Sequence, residues 1–328
     1  MSTSTATTVR ATELAGSGVR LAAWLRSPVL ALALATLFWA GSFVVGRALR
    51  DELDPVAITL WRWIISLMIF APFVWRDILG HFRVLVREWR LLMGLALTGI
   101  ALFHPLVYVA LKHTSATNAL LTFSLTPMVI LMCGCLVTGK RPTARELGGV
   151  LMSMTGAAIL ITRGDLAVIT SMGFNPGDLW MLGAVAVWAA YSLLLRRRPS
   201  DLPQTLTLVG SIAAALPMLL AFTLLTGWQA TIALSGPVLL GVGYIAVFGS
   251  VVGFLFWAHG VATLGPSRAG QFVHLMPVFG AALSFAVLGE PLSVAQMVGA
   301  AFVLSGIVLI ETQSSQPAKT STGQPARA

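Results

Sequence analysis

Ten stretches of the chain are each apolar over about 20 residues, the length a helix needs to cross the hydrocarbon core of a bilayer. They fall at 28–49, 55–75, 89–111, 115–138, 145–162, 178–196, 203–226, 237–261, 266–288 and 291–311. This pattern predicts an all-α membrane protein with ten transmembrane helices. Composition agrees, since 57% of the 328 residues are hydrophobic and only 10% are charged, against about 25% charged in an average soluble domain. A set of water-soluble domains is excluded, and so is a largely disordered chain, which needs low hydrophobicity and high net charge. Residues 1–27 and 312–328, rich in Ser, Thr, Ala and Gln, read as flexible tails.

The net charge of +9 would point to nucleic acid in a soluble protein. Here the basic residues sit in short loops between apolar segments, where they set topology instead. No nucleic-acid partner is expected. The tails and the even-numbered connections hold 16 Lys and Arg, and the other face holds four, Arg47, Arg50, Lys112 and Arg163. The positive-inside rule then places both tails in the cytoplasm. The lack of N-x-S/T sites and the Arg- and Ala-rich composition favour a bacterial inner (plasma) membrane.

The chain repeats itself. Leu125, Pro127, Gly139, Gly149 and Gly156 match Leu275, Pro277, Gly289, Gly299 and Gly306, each 150 residues later, and Trp39-Ala40 matches Trp188-Ala189. Each half holds five spans, an odd number, so the second half enters the membrane upside down. The expected domains are 28–162 and 178–311, two inverted five-helix repeats, joined by a loop at 163–177. Inverted repeats place a substrate near the midplane between the halves and allow alternating access. Because duplication supplies both halves, a monomer suffices.

The same residues carry a family resemblance. The run "MPVFGAALSFAVLGEPLSVAQMVGAAFVLSGIVLI" and its first-half counterpart "LTPMVILMCGCLVTGKRPTARELGGVLMSMTGAAILI" resemble the end of an EamA domain. "FWAGSFVVGRAL" and "VWAAYSLLLRR" resemble its opening helices. Together they cover most of 28–311. The resemblance implies the ten-helix EamA branch of the drug/metabolite transporter superfamily, many of whose members export amino acids or other metabolites. One departure is Lys140 after the glycine of the first half, where the second half has Glu290.

All twelve acidic residues lie in a tail, a loop or a helix end. Carboxylates inside a membrane are the usual proton relays and counter-charges for cations, so a proton-coupled exporter of cationic drugs is disfavoured. Arg62 sits seven residues past Pro55, about 10 Å into its span at 1.5 Å per residue. It reads either as an anion contact or as an arginine that snorkels outward or caps a helix. Its neighbours Trp61 and Trp63 read as packing on lipid.

His104 and Tyr108 share one face of the third span, and His274 lies three residues before Pro277. Trp39 and Trp188 fall mid-span and correspond between the halves, with Tyr191 one turn beyond Trp188. Such rings suit an amphipathic substrate or ordinary core packing. Asn118, Thr122 and Gln271 can orient a carboxylate or an amine, or join helices. Pro127 and Pro277 each free a backbone carbonyl one turn earlier and can act as hinges. Gly139 and Gly289 belong to the same mechanical set.

The leading expectation is an inner-membrane exporter of small metabolites, aromatic or neutral amino acids foremost, with lipid and a small-molecule substrate as its partners. The alternative within transport is an importer or exchanger of anionic or phosphorylated metabolites. A polytopic enzyme would need a nucleophile, a metal cluster or an acid/base pair. The sequence holds no G-x-S-x-G, no H-E-x-x-H and no paired carboxylates. No catalytic residue, metal site or cofactor is expected.

Overall fold

The computed structural model describes residues 27–49, 52, 55–170, 173, 175–227, 235–289 and 291–311. Apart from Ser27, the predicted tails lie outside the described residues, as does Glu290. Among those residues ten helices are long and apolar enough to cross a membrane. They are α1 (Pro28–Gly46), α2 (Ala57–Gly80), α3 (Trp89–His113), α4 (Thr117–Thr138) and α5 (Ala144–Thr162) in the first half, and α6 (Pro176–Leu195), α7 (Gln204–Leu225), α8 (Gly236–Leu264), α9 (Pro266–Ala286) and α10 (Val294–Glu311) in the second. The second helix carries Pro72 within it and outruns the predicted 55–75, because no Gly or Pro falls between Trp75 and Gly80.

Local sequence starts and stops these helices. Ser27 caps α1 and Ser235 caps the start of α8. Thr143 and Glu146 form a reciprocal capping box at α5, as Asn175 and Asp178 do at α6, so the first backbone N–H groups find acceptors. Gly139 and Gly289 end α4 and α9 in the left-handed region, at φ 70° and 67°, where a side chain would be strained. These repeat-mates are helix terminators.

Both predicted prolines follow a break. The α4 helix interrupts at Ser124–Leu125, just before Pro127. Proline has no N–H to offer the Phe123 carbonyl, and the Thr126 hydroxyl donates to it instead at 2.6 Å. The α9 helix passes through a 3-10 turn, Phe272–His274, three residues before Pro277.

The third helix of each half also widens into a π-helical turn, at Ala96–Ala101 in α3 and Ile245–Val252 in α8. Such turns throw carbonyls out of the regular ladder and are frequent at functional sites. Their equivalent placement in the two halves is a structural echo of the repeat.

The halves meet antiparallel through their last helices. A Cβ on Gly149 would lie 2.8 Å from the Gly306 carbonyl oxygen, and one on Gly156 would lie 2.5 Å from that of Gly299. Numbering rises by seven on α5 as it falls by seven on α10, which is the register of antiparallel helices. Close approach through small residues is how membrane helices gain packing without a hydrophobic driving force.

Candidate functional site at the seam between the halves

Trp39 of α1 and Trp188 of α6, which correspond in the repeat, meet edge to face with ring centroids 5.3 Å apart. Around them stand Phe103 of α3, 5.1 Å from Trp188, and Phe254 and Trp257 of α8. Tyr191 packs tilted against Trp188 at 5.1 Å and lies 5.7 Å from Phe254. Trp63 of α2 meets Phe254 at 5.0 Å. Contrary to the lipid-packing expectation, Trp63 is fully buried. The seam is thus a nest of aromatic rings drawn from five helices.

Polar groups border this nest. Arg62 is 7% exposed, so it points into the protein and does not snorkel. Its Nε donates to Ser250 Oγ at 2.8 Å, its Nη1 lies 3.0 Å from His104 Nε2, and its Cζ sits 5.1 Å from the Trp63 ring centre. The guanidinium therefore bridges α3 and α8 from α2. The π-helical turn of α8 supplies the rest. Its Gly249 carbonyl accepts from Trp39 Nε1 at 2.9 Å, and its Ala246 carbonyl accepts from Ser66 Oγ at 2.9 Å. Side chains of α1 and α2 thereby satisfy carbonyls that the widened helix presents. The indole N–H groups of Trp63, Trp188 and Trp257 are buried without a hydrogen-bond partner among the described residues.

Of the residues singled out from the sequence, the structure brings together Trp39, Arg62, His104, Trp188 and Tyr191. The Tyr108 side chain lies outside the described residues. Gln271 and His274 occupy a second buried network away from the rings. His274 Nε2 donates to the Ser124 carbonyl at 2.8 Å, His274 Nδ1 lies 2.7 Å from Ser153 Oγ, and Ser153 Oγ lies 3.1 Å from Gln271 Oε1. This network ties α9 to α4 and α5. Asn118 accepts from Ser115 Oγ at 3.0 Å at the start of α4, and Thr122 is half-buried just before the α4 break.

The sequence reading assigns Trp63 to lipid and gives no sign of Phe103, Ser250, Phe254 or Trp257, and nothing local marks the π-helical turn that aims Ser250 inward.

A narrow cleft lined by Leu95, Tyr191, Gln204, Thr207, Ser211 and Phe254 reaches the nest from the half of the bundle that carries the Arg-rich connections. On the opposite face α3 and α6 are fastened: Thr114 Oγ donates to Asp178 Oδ1 at 2.8 Å and accepts from Asn175 Nδ2 at 3.0 Å. Arg196–Arg198 and Arg87 lie on the cleft's face. No group of three or more His, Cys, Asp or Glu suited to a metal ion occurs among the described residues.

Comparison with known proteins supplies the family. A family model described as the EamA-like transporter family matches twice, over residues 26–162 and 175–312. An uncharacterized transporter of Archaeoglobus fulgidus is 26% identical over 288 residues, covering 88% of this chain and 98% of its own length. The uncharacterized transporter YyaM of Bacillus subtilis is 29% identical, over 65% of this chain and 70% of that one. A probable terminal-alkyne amino-acid exporter of Streptantibioticus cattleyicolor is 24% identical over 88% of this chain and 95% of its own. A solved crystal structure superposes with a TM-score of 0.71 at 20% identity, covering 88% of this chain and 97% of that one, and shares the fold.

Proposed function

The chain belongs to the EamA-like transporter family, and we propose that it exports small amphipathic metabolites, amino acids foremost, across a bacterial inner membrane. Membership makes it a membrane transporter and not an enzyme. The observation that carries the finer reading is the aromatic nest with Arg62 at its border, at the seam where the two halves meet. Rings offer an apolar body something to stack on, and the guanidinium offers a carboxylate a positive charge and a charge-assisted hydrogen bond. The relative named as a probable amino-acid exporter supports that cargo class.

In this reading the halves rock about the seam to give alternating access. Cargo enters by the cleft on the Arg-rich face, and the Thr114–Asn175–Asp178 contact closes the opposite face. The 16-to-4 distribution of Lys and Arg supports cytoplasmic tails, so the cleft faces the cytoplasm. One chain holds both halves and works as a monomer.

The test is transport by purified protein in proteoliposomes loaded with labelled amino acids, from threonine and alanine to phenylalanine and tryptophan. Saturable release, weakened by Trp188→Ala or His104→Ala in protein that remains monodisperse, is expected. No release of any amino acid would overturn the proposed cargo.

A further inference from the structure

We propose that the seam recognises its cargo through an acceptor-only anionic group, a carboxylate, and has no subsite for an amino group. Apolar and aromatic monocarboxylates are then cargo on equal terms with amino acids. This deepens the transport reading above and rests on it.

The argument is an inventory of donors and acceptors. Indole offers one donor and no acceptor, and guanidinium donates only; Arg62 directs its Nε to Ser250 and its Nη1 to His104. Trp63, Trp188 and Trp257 hold buried N–H groups with no acceptor among the described residues, each costing stability in a water-excluded setting. All three belong to one nest: Trp188 and Trp257 are 5.6 Å apart, and Trp63 joins through Phe254 at 5.0 Å. Arg62 adds a positive charge 5.1 Å from the Trp63 ring. Trp39 shows what an indole here does when an acceptor is at hand, since its N–H bonds the Gly249 carbonyl.

A carboxylate, which only accepts, fits that inventory. An ammonium, which only donates, adds to the excess of donors at the indoles, and the Tyr191, Thr207 and Ser211 hydroxyls that line the cleft carry no charge to balance it. Its other resource would be an acidic counter-charge, and among the described residues every Asp and Glu lies in a loop or near a helix end. Ring faces offer a cation some attraction, but Arg62 already stands over one of them. A single guanidinium also balances a monoanion better than a phosphate dianion. The site thus differs from one built for zwitterions in which half of the cargo it ignores.

The experiment uses full-length protein and three molecules on one scaffold: phenylalanine, 3-phenylpropionate (no amino group) and phenethylamine (no carboxylate). Binding is read by thermal shift in detergent, and transport by competition with labelled phenylalanine in proteoliposomes. We expect 3-phenylpropionate to match phenylalanine within about threefold, and phenethylamine to be weaker by about 10- to 100-fold, the range for losing a charge-assisted hydrogen bond. Arg62→Gln should narrow the acid-to-amine ratio by at least about tenfold on the same grounds. Should that variant fail to fold, Trp188→Phe and Trp257→Phe keep the rings, delete the donors and should narrow the ratio in the same direction.

The outcomes separate the two readings. Phenylalanine transported but equally displaced by phenethylamine overturns the carboxylate subsite and leaves the exporter standing. Binding of 3-phenylpropionate without transport of any amino acid overturns the amino-acid cargo and supports the subsite. If none of the three binds or moves, both fall.

Discussion

Gly156 and Gly299 face each other so closely that a Cβ on either would enter the other's backbone, at 2.5 Å and 2.8 Å from the opposing carbonyl oxygen. Gly149 and Gly306 repeat the contact two turns along, at 2.8 Å and 2.6 Å. Each of these pairs joins the last helix of one half to the last helix of the other. The atoms in the way are backbone, which cannot rotate aside. We predict that Gly156→Ala or Gly299→Ala costs about 1–3 kcal/mol, the usual penalty of overpacking. Leucine at either position should prevent a monodisperse product. Thermal unfolding in detergent checks this, and an unchanged midpoint for Gly299→Leu would refute the contact.

Trp39 and Trp188 are repeat-mates with opposite hydrogen-bonding states, so the same substitution should have opposite consequences. Trp39→Phe strands the Gly249 carbonyl inside the bundle, at a cost of about 1–3 kcal/mol for a buried group left unsatisfied. Trp188→Phe removes an N–H that has no partner among the described residues and keeps most of the ring. It should leave the unfolding midpoint unchanged or raise it. Equal destabilisation by both would show that ring volume, and not the N–H, sets the energetics of the nest.

What the sequence revealed and what it concealed divide along physical lines. Span length and apolarity are properties of a single segment, so all ten helices were legible. The 150-residue register was legible too, and it correctly paired Trp39 with Trp188 and Gly139 with Gly289. Arg62 and His104 stood out because ionisable groups are costly in lipid. The π-helical turns were not legible, because neither ALTGIA nor IAVFGSVV differs in kind from the helical sequence beside it. In α8 the turn is held by Trp39 and Ser66, which reach across from other helices to take up its carbonyls, a tertiary partnership with no local signature. Trp63 was misjudged for a related reason: in an apolar environment a buried face and a lipid face have the same composition, so periodicity loses its force.

The second buried network yields another expectation. His274 bonds the carbonyl of Ser124, its own repeat-mate 150 residues earlier, and reaches Ser153 with its other nitrogen. Replacing it by Leu leaves the carbonyl of the α4 break without its donor and should cost about 1–3 kcal/mol. Asn or Gln, which retain a donor and an acceptor, should recover part of that loss. Because this network is separate from the aromatic nest, cargo affinity in folded His274→Gln protein should stay near that of the parent. A change in cargo selectivity larger than the change in stability would instead place His274 in the binding site.

The Arg-rich face carries an ion pair that joins the halves. Arg87, before α3, donates from Nη2 to both oxygens of Asp201, at 3.0 Å and 2.8 Å, in the connection between α6 and α7. The guanidinium hydrogen bond holds the Asp201 carboxyl below its ordinary value, and the same contact raises Arg87. For a carboxyl with a lowered value in the folded state, the stabilisation is fully present above the unfolded value of about 3.9 and is lost as pH falls through the folded one. Both groups are exposed, so the pair is weak and screened by salt. If cargo enters by the cleft on this face, the pair must part as the halves separate, and its loss should ease opening. Asp201→Asn is therefore expected to leave the midpoint nearly unchanged at neutral pH and to flatten its dependence on pH below about 4. It should also raise the rate of exchange at low salt, with the advantage fading as salt rises. An exchange rate that is insensitive to both the substitution and the salt would place the moving seam elsewhere than between these two connections.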